Sequence, residues 1–366
     1  MTAGEPILQV EHLTKDFPLR RGAFGGKSGV VHAVDDVSFE LRAGETLAIV
    51  GESGCGKSTL ARCVTRLLEP TSGRIAFNGR DITSLSRGEM APIRRDMMMI
   101  FQDPFGSLDP RMHVGAIIAE PLEIHHWGSG AKSRRRVQEL LALVGLNPEH
   151  YNRYPHEFSG GQRQRIGIAR ALALGPKLVV CDEPVSALDV SVQAQILNLL
   201  ADLQEELGLT YVFITHNLDV VQQVANRVMV MYLGRAVEEA SVADLYARPR
   251  HPYTAALLSA VPIPDPDLAR ARRPILLEGD VPSPLDPPAG CRFHPRCPRA
   301  AEICAQGLPP IVPFEAGHSA ACNFPVERWP LDDPADIARV TGASATPGET
   351  ALVTPSSATT AADAEA

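Results

Sequence analysis

The residues with the clearest chemistry lie between a short apolar run and a predicted helix. They read GESGCGKST, residues 51–59, and match the pattern G-x-x-x-x-G-K-[ST], the P-loop. Glycines let the backbone curl so that its N–H groups face a phosphate, while the Lys57 ammonium bridges two phosphates and the Ser58 hydroxyl is a Mg²⁺ ligand. The pattern therefore predicts a site for a nucleoside triphosphate with Mg²⁺. Its residues are Gly51, Glu52, Ser53, Gly54, Cys55, Gly56, Lys57, Ser58 and Thr59.

Four polar residues follow other predicted strands and fit the same site. Asp182 and Glu183 end the apolar run LVVCDEP. There Asp182 is expected to hold Mg²⁺ through water, and Glu183 to orient and deprotonate the attacking water. Gln102 is expected to sense Mg²⁺ and that water, and a neutral His216 imidazole to hydrogen-bond the γ-phosphate. The predicted catalytic residues are therefore Glu183, His216 and Gln102, and the predicted Mg²⁺ ligands are Ser58, Gln102 and Asp182.

A second pair of glycines lies in the run EFSGGQRQR, well beyond the P-loop. Ser159, Gly160, Gly161 and Gln162 precede an apolar helical run, so free N–H groups at this helix start are expected to bind an anion. The stretch between Gln102 and Ser159 reads as a separate helical lobe, which carries this loop away from the P-loop of its own chain. We therefore predict two copies arranged head to tail, each capping the nucleotide held by the other.

Apolar strands alternate with helical runs from the P-loop to about residue 240, which predicts an α/β fold with a largely parallel sheet. Before this part, apolar and polar residues alternate in ILQVEHLTKDF and in VDDVSFEL, which is typical of strands. A flexible insertion is predicted between them, in RRGAFGGKSGV. Phe17 ends the first of these strands and is expected to stack on adenine, unless it is an ordinary edge-strand aromatic. A Pro- and Cys-rich segment follows to about residue 330, and a tail without large apolar residues is expected to be disordered.

The composition limits the classes of function. The chain has 366 residues, a formal charge of −8 and 45% hydrophobic residues. This acidity argues against a general nucleic-acid binder, which needs a basic surface. No apolar run reaches the ~18–20 residues that span a bilayer, and the N-terminus lacks the features of a signal peptide. We therefore expect a cytosolic protein that contacts a membrane only through a partner.

The chain resembles the ATP-binding subunit of an ABC transporter in its motifs and in their order. These motifs are GESGCGKST, Gln102, FSGGQRQR, LVVCDEP, SALD and His216. The resemblance implies a P-loop ABC ATPase domain with a RecA-like core, an antiparallel β subdomain and a helical lobe at about 103–165. It also implies that Ser186–Asp189 link two sites across a dimer, so Asp189 joins the nucleotide-binding residues. Phe158 stands where a leucine is usual in the signature.

The following segment resembles the C-terminal extension of oligopeptide/dipeptide importer ATPases, in the stretches HPYTAALLSAVP and GDVPSPLDPPAGCRFHPRCPRA. It resembles most the second ATPase subunit of such importers, which is usually paired with a similar but distinct one. This implies a nucleotide-binding domain at 1–245, an extension at 246–330 and a tail at 331–366. It also implies an ATPase that energises peptide import, peripheral to the cytoplasmic side of the cell membrane. The implied partners are a second ATPase subunit (a similar chain or a second copy), two permease subunits docked near Gln102–Arg111, and an extracytoplasmic solute-binding protein.

Two other functions stay open. The same machinery would import another small solute, such as nickel, because the binding protein and the permeases set the specificity. A soluble ABC ATPase acting on DNA or on the ribosome fits less well. DNA-repair relatives carry long insertions between P-loop and signature, and ribosome-acting relatives carry two cassettes in one chain. No nucleic-acid partner is expected.

Four of the seven cysteines fall in a short proline-rich segment with little apolar material for a core: Cys291, Cys297, Cys304 and Cys322. Four thiolates complete a tetrahedral zinc site or a [4Fe–4S] cluster. The spacing lacks the paired C-x2-C knuckles of zinc ribbons, and some importer ATPases that the chain resembles carry an iron–sulfur cluster here. A cluster, zinc and four reduced thiols are the alternatives, with His294 and His318 as reserve ligands.

Overall fold

The computed structural model describes residues 5–19, 29–103, 106–128, 130–262, 274–315 and 317–327. All of these residues belong to one compact unit. Most of the predicted insertion after the first strand, and the whole of the predicted disordered tail, lie outside the described residues.

The described residues form twelve strands in two sheets. The strands are β1 (Leu8–Pro18), β2 (Val30–Leu41), β3 (Thr46–Val50), β4 (Ser72–Phe77), β5 (Arg80–Asp81), β6 (Met97–Ile100), β7 (Leu178–Asp182), β8 (Thr210–Thr215), β9 (Arg227–Tyr232), β10 (Arg235–Ser241), β11 (Ile311–Glu315) and β12 (His318–Ala321).

Eleven α-helices and three short 3-10 helices connect these strands over the same described ranges. The α-helices are α1 (Lys57–Val64), α2 (Arg87–Met90), α3 (Ile93–Asp96), α4 (Val114–Ile124), α5 (Ala131–Leu143), α6 (Gly160–Ala171), α7 (Val190–Leu207), α8 (Leu218–Val224), α9 (Val242–Ala247), α10 (Pro252–Ser259) and α11 (Glu302–Gln306). The 3-10 helices are Pro148–Asn152, Pro155–Glu157 and His294–Arg296.

The larger sheet has the strand order β11-β12-β10-β9-β3-β8-β7-β6, and its run from β9 to β6 is parallel. Every residue of β3, β7 and β8 is buried, as expected for parallel strands covered on both faces. This arrangement confirms the predicted α/β fold. It also brings the carboxyl ends of β3, β6, β7 and β8 to the same edge of the sheet.

The smaller sheet, β2-β1-β4-β5, is antiparallel. One apolar cluster joins this sheet to α1 and to one face of the larger sheet, through residues such as Leu8, Leu47 and Leu60. A second cluster joins α4, α5 and α6 to α7 and to the other face, through residues such as Ile118 and Ile166. The helices between Gln102 and the signature, α4 and α5, therefore share one apolar cluster with α6, α7 and the sheet.

The C-terminal extension continues the larger sheet instead of folding apart from it. Strand β12 pairs with β10 in antiparallel register, with Glu238 opposite Ala320 and Glu239 opposite Ser319. Phe293 is fully buried, with its ring centroid 5.2 Å from that of Tyr232. The extension is poor in apolar residues, as the sequence indicates, because it shares the core of the α/β region (residues 5–245).

Candidate nucleotide site

The P-loop runs from the end of β3 to the start of α1, as its pattern predicts. Gly56 precedes α1 with a φ of 104°. A Cβ atom at Gly56 would lie 1.9 Å from the Ala33 carbonyl oxygen, and one at Gly51 would lie 2.2 Å from the Met231 carbonyl oxygen. The loop therefore needs glycine at both positions, because its backbone passes so close to neighbouring strands.

Lys57 lies inside the curve of this loop. Its side chain is buried, and Nζ donates hydrogen bonds to the carbonyl oxygens of Gly51 at 2.7 Å and Glu52 at 3.0 Å. Ser53 and Gly54 are exposed at the turn, while Cys55 is buried beneath it. The ammonium thus stands where the pattern places the phosphates, which stays a prediction for this chain.

Ser58 and Asp182 meet across the site. The Ser58 hydroxyl donates to Asp182 Oδ1 at 2.8 Å, although the two residues come from α1 and from the end of β7. Asp182 is almost fully buried, and this burial raises the pKa of its carboxyl group. A desolvated carboxylate beside a hydroxyl offers hard oxygen ligands, so the pair fits Mg²⁺.

Glu183 is held between the two residues predicted to share its task. Gln102 Nε2 donates to Glu183 Oε2 at 2.9 Å, and His216 Nδ1 lies 3.2 Å from Glu183 Oε1. The three residues follow β6, β7 and β8, which are neighbours in the sheet. Glu183 itself adopts a φ of 46°, an uncommon conformation for a residue other than glycine. The structure thus brings together all three predicted catalytic side chains, whose roles stay predictions.

The signature begins helix α6, which packs with α4, α5 and α7. Ser159 is exposed and caps the helix. Its hydroxyl accepts a hydrogen bond from the Gln162 N–H at 3.4 Å, and Gln162 Oε1 accepts one from the Ser159 N–H at 3.0 Å. These two N–H groups are therefore not free, contrary to the expectation from the sequence. Among the described residues, no hydrogen bond joins the signature to the P-loop.

The residues around the signature explain its glycines. A Cβ atom at Gly161 would lie 2.4 Å from Val192 Cγ1, so α6 approaches α7 closely there. Asp189, at the end of SALD, is exposed and precedes α7. A Cβ atom at Gly160 would lie 3.4 Å from Leu188 Cδ2. The signature and SALD therefore lie side by side on one face of the molecule.

Phe17 and Thr59 are less constrained by the described contacts. Phe17 pairs with Val31 in the β1–β2 ladder, and the Lys15 ammonium lies 5.0 Å from the centroid of its ring. Thr59 is half-buried in the first turn of α1. The adenine contact of Phe17 stays a prediction.

The extension supplies P-loop contacts that sequence reasoning missed. The Arg296 guanidinium donates to both carboxylate oxygens of Glu52, at 2.8 and 3.1 Å. The Tyr253 hydroxyl accepts a hydrogen bond from the Glu52 N–H at 2.9 Å. No motif marks either residue, and both lie about 200 or more positions beyond the P-loop. Only the HPYT and FHPRC stretches, singled out for their resemblance, pointed to this part of the chain.

The four cysteines line one small cavity, of about 10 Å³, together with His251 and His294. Burial raises the pKa of the Cys291, Cys297 and Cys322 thiols, that of Cys322 to about 11. Among the residues that the structure describes, no three or more His, Cys, Asp or Glu side chains are placed to hold a metal ion. The predicted convergence of the thiols is present, whereas a metal is not supported.

His294 and His318 differ in their suitability as reserve ligands. His294 lies at the cavity, with its Nδ1 2.8 Å from the Cys291 carbonyl oxygen. His318 is buried elsewhere, on strand β12, with Nε2 2.8 Å from Glu238 Oε1. Among the described residues that line the cysteine cavity, His318 does not appear, so its position does not support it as a reserve ligand.

Family models match two parts of the chain: ABC transporter over residues 34–186, and the C-terminal region of oligopeptide/dipeptide transporters over residues 237–304. A probable peptide ABC transporter ATP-binding protein of Sinorhizobium fredii is 55% identical over 87% of this chain and 90% of its own length. The chain belongs to the ATP-binding proteins of the oligopeptide/dipeptide ABC transporters. AppF of Bacillus subtilis, an oligopeptide transport ATP-binding protein, is 52% identical over 88% of this chain and 99% of its own length.

Solved ABC cassettes share the fold of this ABC transporter ATP-binding protein. A dimeric cassette in a post-hydrolysis state with ADP and Pi is 31% identical, with a TM-score of 0.57 over 64% of this chain and 98% of that one. CbiO1 of Clostridium perfringens, part of a cbiONQ transporter complex, is 30% identical with the same TM-score. In the described part of the chain, no helix is long and apolar enough to cross a bilayer.

Proposed function

We propose that this chain is the ATP-hydrolysing subunit that energises an ABC importer of peptides. The observation that carries the proposal is the Glu183 carboxylate between Gln102 and His216, next to the Ser58–Asp182 pair. The relatives named for oligopeptide transport, and the matched C-terminal region, support peptides as the solute class. Nickel or another small solute is the alternative.

The P-loop side of the site would bind the nucleotide. Its backbone N–H groups and the start of α1 face the phosphates, and the Lys57 ammonium offsets their charge. Ser58 and Asp182, with Gln102, would hold Mg²⁺, which when bound neutralises charge that develops on the β- and γ-phosphates.

The opposite side of the site would carry out the proton transfer. Glu183 accepts the proton of the attacking water as general base. Gln102 donates to one of its carboxylate oxygens and His216 approaches the other, so both side chains fix the orientation of this carboxylate. His216 then contacts the γ-phosphate from the end of β8. The positive φ of Glu183 turns its side chain toward these neighbours.

We also propose that the signature serves the nucleotide of a second subunit. Ser159 and Asp189 are exposed on the same face, and the dimeric state of a solved cassette supports a head-to-tail pair. The second subunit is either another copy of this chain or a similar ATPase. In such a pair, Ser159 and Gly160 would cap the phosphates held by the partner's P-loop.

A mixed dimer tests this arrangement. Ser159→Arg in one subunit should abolish cooperative hydrolysis while preserving the ATP affinity of the isolated subunit, because a bulky cation blocks the cap alone. The lesion should appear at the site whose P-loop belongs to the other subunit. To measure this, the variant is paired with a Lys57→Ala subunit, because in the trans arrangement both changes then fall on one site and the second site stays intact. Loss at the variant's own P-loop would contradict the trans arrangement.

Membrane permeases would dock in the groove beside Gln102. A cavity of about 670 Å³ extends from the metal-site carboxylate to the helical lobe and is lined by Arg94, Phe101, Gln102, Glu120, Arg170 and Asp182. Its mixed charge and its exposed aromatic suit a partner helix or loop. A partner that moves Gln102 would also move Glu183, because the two side chains are hydrogen-bonded. The groove would therefore couple the partner to hydrolysis. The chain would thus sit at the cytoplasmic face of the membrane, and a solute-binding protein would reach it through the permeases.

Reconstitution tests the whole proposal. The chain is assembled in proteoliposomes with two permease subunits and a solute-binding protein, and ATP hydrolysis and uptake are measured with a dipeptide, a pentapeptide and Ni²⁺. Peptide-stimulated hydrolysis with uptake is expected, and Lys57→Ala should abolish both. Stimulation by Ni²⁺ alone would replace the peptide assignment, and hydrolysis without any coupling to the permeases would remove the transport function.

A finer proposal concerns Cys291, Cys297, Cys304 and Cys322, for which we propose a structural zinc or [4Fe–4S] site. It rests only on the convergence of four thiols on one cavity. Anaerobic purification should show absorption near ~400 nm for iron–sulfur, or stoichiometric zinc. Cys304→Ala should lose the metal and more stability than Cys63→Ala, a buried cysteine of the α/β region. A metal-free protein with four titratable thiols would overturn this site.

A further inference from the structure

The second residue of the P-loop, Glu52, is held from two directions by the C-terminal extension. Arg296 donates from Nη1 to Oε2 at 2.8 Å and from Nη2 to Oε1 at 3.1 Å, a two-point contact between planar groups. Tyr253 accepts a hydrogen bond from the Glu52 backbone N–H at 2.9 Å. The carboxylate and the backbone of one loop residue are thus both fixed by the same distant segment.

The Arg296–Glu52 contact is shielded from water. The side chain of Arg296 is 9% exposed and that of Glu52 is 26% exposed. The Arg296 guanidinium also lies 5.9 Å from the centroid of the Tyr232 ring, and its Nη1 lies 3.3 Å from the Tyr232 hydroxyl. A charge pair this sheltered interacts more strongly than one on the surface, and losing either partner leaves a charge poorly solvated.

Glu52 needs such a partner because of where it lies. The loop that contains it is built to receive phosphate groups, and an uncompensated carboxylate within that loop would repel them. Lys57 donates to the Glu52 carbonyl oxygen, so a shift of Glu52 would also move the ammonium. The conformation of the P-loop and its net charge both depend on what holds Glu52.

We infer that Arg296 is a positioning residue for ATP binding, a cation of the C-terminal extension that acts on the P-loop. It neutralises the Glu52 carboxylate, and together with Tyr253 it holds the loop in the shape that accepts phosphates. This inference rests on the proposed binding of ATP at the P-loop. It makes the extension part of the nucleotide site rather than an appendage of the transporter subunit.

The test measures MgATP affinity of the full-length chain by titration calorimetry at low and high salt. Arg296→Gln should weaken binding about tenfold at low salt, because Glu52 then carries an unpaired charge. The loss should shrink at high salt, where repulsion is screened. Arg296→Gln combined with Glu52→Gln should recover affinity to within about threefold, since the offending charge is gone. Arg299→Gln, an exposed arginine of the same segment, is the matched control.

The rescue separates positioning by charge from a merely structural role. If Arg296 only stabilised the fold, the double variant would stay as weak as the single one, and that result overturns the inference. Unchanged affinity of Arg296→Gln, with Lys57→Ala deficient, also overturns it while leaving the proposed function intact. Normal MgATP binding by Lys57→Ala would end both. If Arg296→Gln does not fold, Arg296→Lys should lose about threefold, because it keeps the charge without the two-point contact.

Discussion

The α/β region and the C-terminal extension are held in place by different means. In the α/β region, the site residues follow strands that are buried throughout, such as β7 and β8, so the backbone ladder places them. The extension is attached by the short β12–β10 ladder and by a few side chains. These side-chain contacts are the Phe293 ring against Tyr232, the Arg296–Glu52 pair and the Arg292–Asp35 pair.

The difference indicates which property each region controls. Glu183, Gln102 and His216 depend on strand order alone for their meeting, so the extension does not build the chemistry of hydrolysis. The extension instead touches the P-loop, which we propose binds the nucleotide. We therefore expect changes in the α/β region to alter turnover, and changes in the extension to alter affinity and local stability.

Glu183→Gln should produce the largest effect on turnover. Loss of the general base should slow hydrolysis on the order of 10²–10⁴-fold while ATP still binds, and the ATP-bound dimer should accumulate. Steady-state hydrolysis and size-exclusion chromatography with MgATP measure both outcomes. Glu123→Gln, an exposed acid on α4, serves as the control. Near-normal turnover in Glu183→Gln would remove the residue from its proposed role.

Phe293→Ala should produce the largest effect on the extension. Removing a fully buried aromatic ring should lower the free energy of unfolding of this part by about 3–5 kcal/mol. Amide hydrogen exchange should then speed up in β12 more than in β3. The matched control is Phe324→Ala, because Phe324 is a 39% exposed aromatic of the same segment. Equal exchange changes in both strands would show that the two regions unfold as one.

Asp182→Asn should separate stability from activity within the α/β region. Burial raises the pKa of Asp182, so the folded apo protein bears the cost of a desolvated carboxylate. The amide removes that cost and should raise the apo free energy of unfolding by roughly 0.5–2 kcal/mol. Mg²⁺-dependent hydrolysis should meanwhile fall about 10–100-fold. A destabilised variant in urea denaturation would contradict this account.

Ser241→Ala should have the smallest effect, at the junction of the two regions. Ser241 Oγ accepts a hydrogen bond from the Asp244 N–H at 3.0 Å and caps α9, so its loss should cost about 1 kcal/mol. Ser86→Ala removes the corresponding cap of α2 and is the control. Thermal unfolding should shift alike in both variants, with hydrolysis unchanged. A fall in ATP affinity for Ser241→Ala alone would mean that the junction couples more tightly than its contacts indicate.

The sequence predicted the α/β fold, and it predicted that Glu183, Gln102 and His216 meet at one edge of the sheet, as they do. This was possible because strand–loop–helix patterns are local, and because carboxyl ends of neighbouring parallel strands necessarily meet. The contact of Gln102 and His216 with the same carboxylate additionally requires the order β6-β7-β8, which no local pattern encodes. The roles assigned to these side chains stay predictions.

The extension was harder to predict for a physical reason. Strand β11 is short and interrupted by Pro313, so it shows no clear alternation. The partners of Arg296 and Tyr253 lie at the other end of the chain, and charge pairs at such separation leave no periodic signal. The shortage of apolar residues, together with the four cysteines, predicts a metal site or four reduced thiols. The structure offers a second explanation, because Phe293 packs against Tyr232 of the α/β region.

The pairing of β12 with β10 has a consequence for synthesis on the ribosome. Strand β10 leaves the exit tunnel well before β12, so its outer edge stays open while the rest of the α/β region is already complete. An open strand edge is a template for pairing with another chain. In the finished protein the outermost strand is β11, whose Pro313 has no N–H to offer. Translation that stops before β12 would therefore release a nucleotide-binding fragment in which the edge of β10 is unpaired and can pair with another chain.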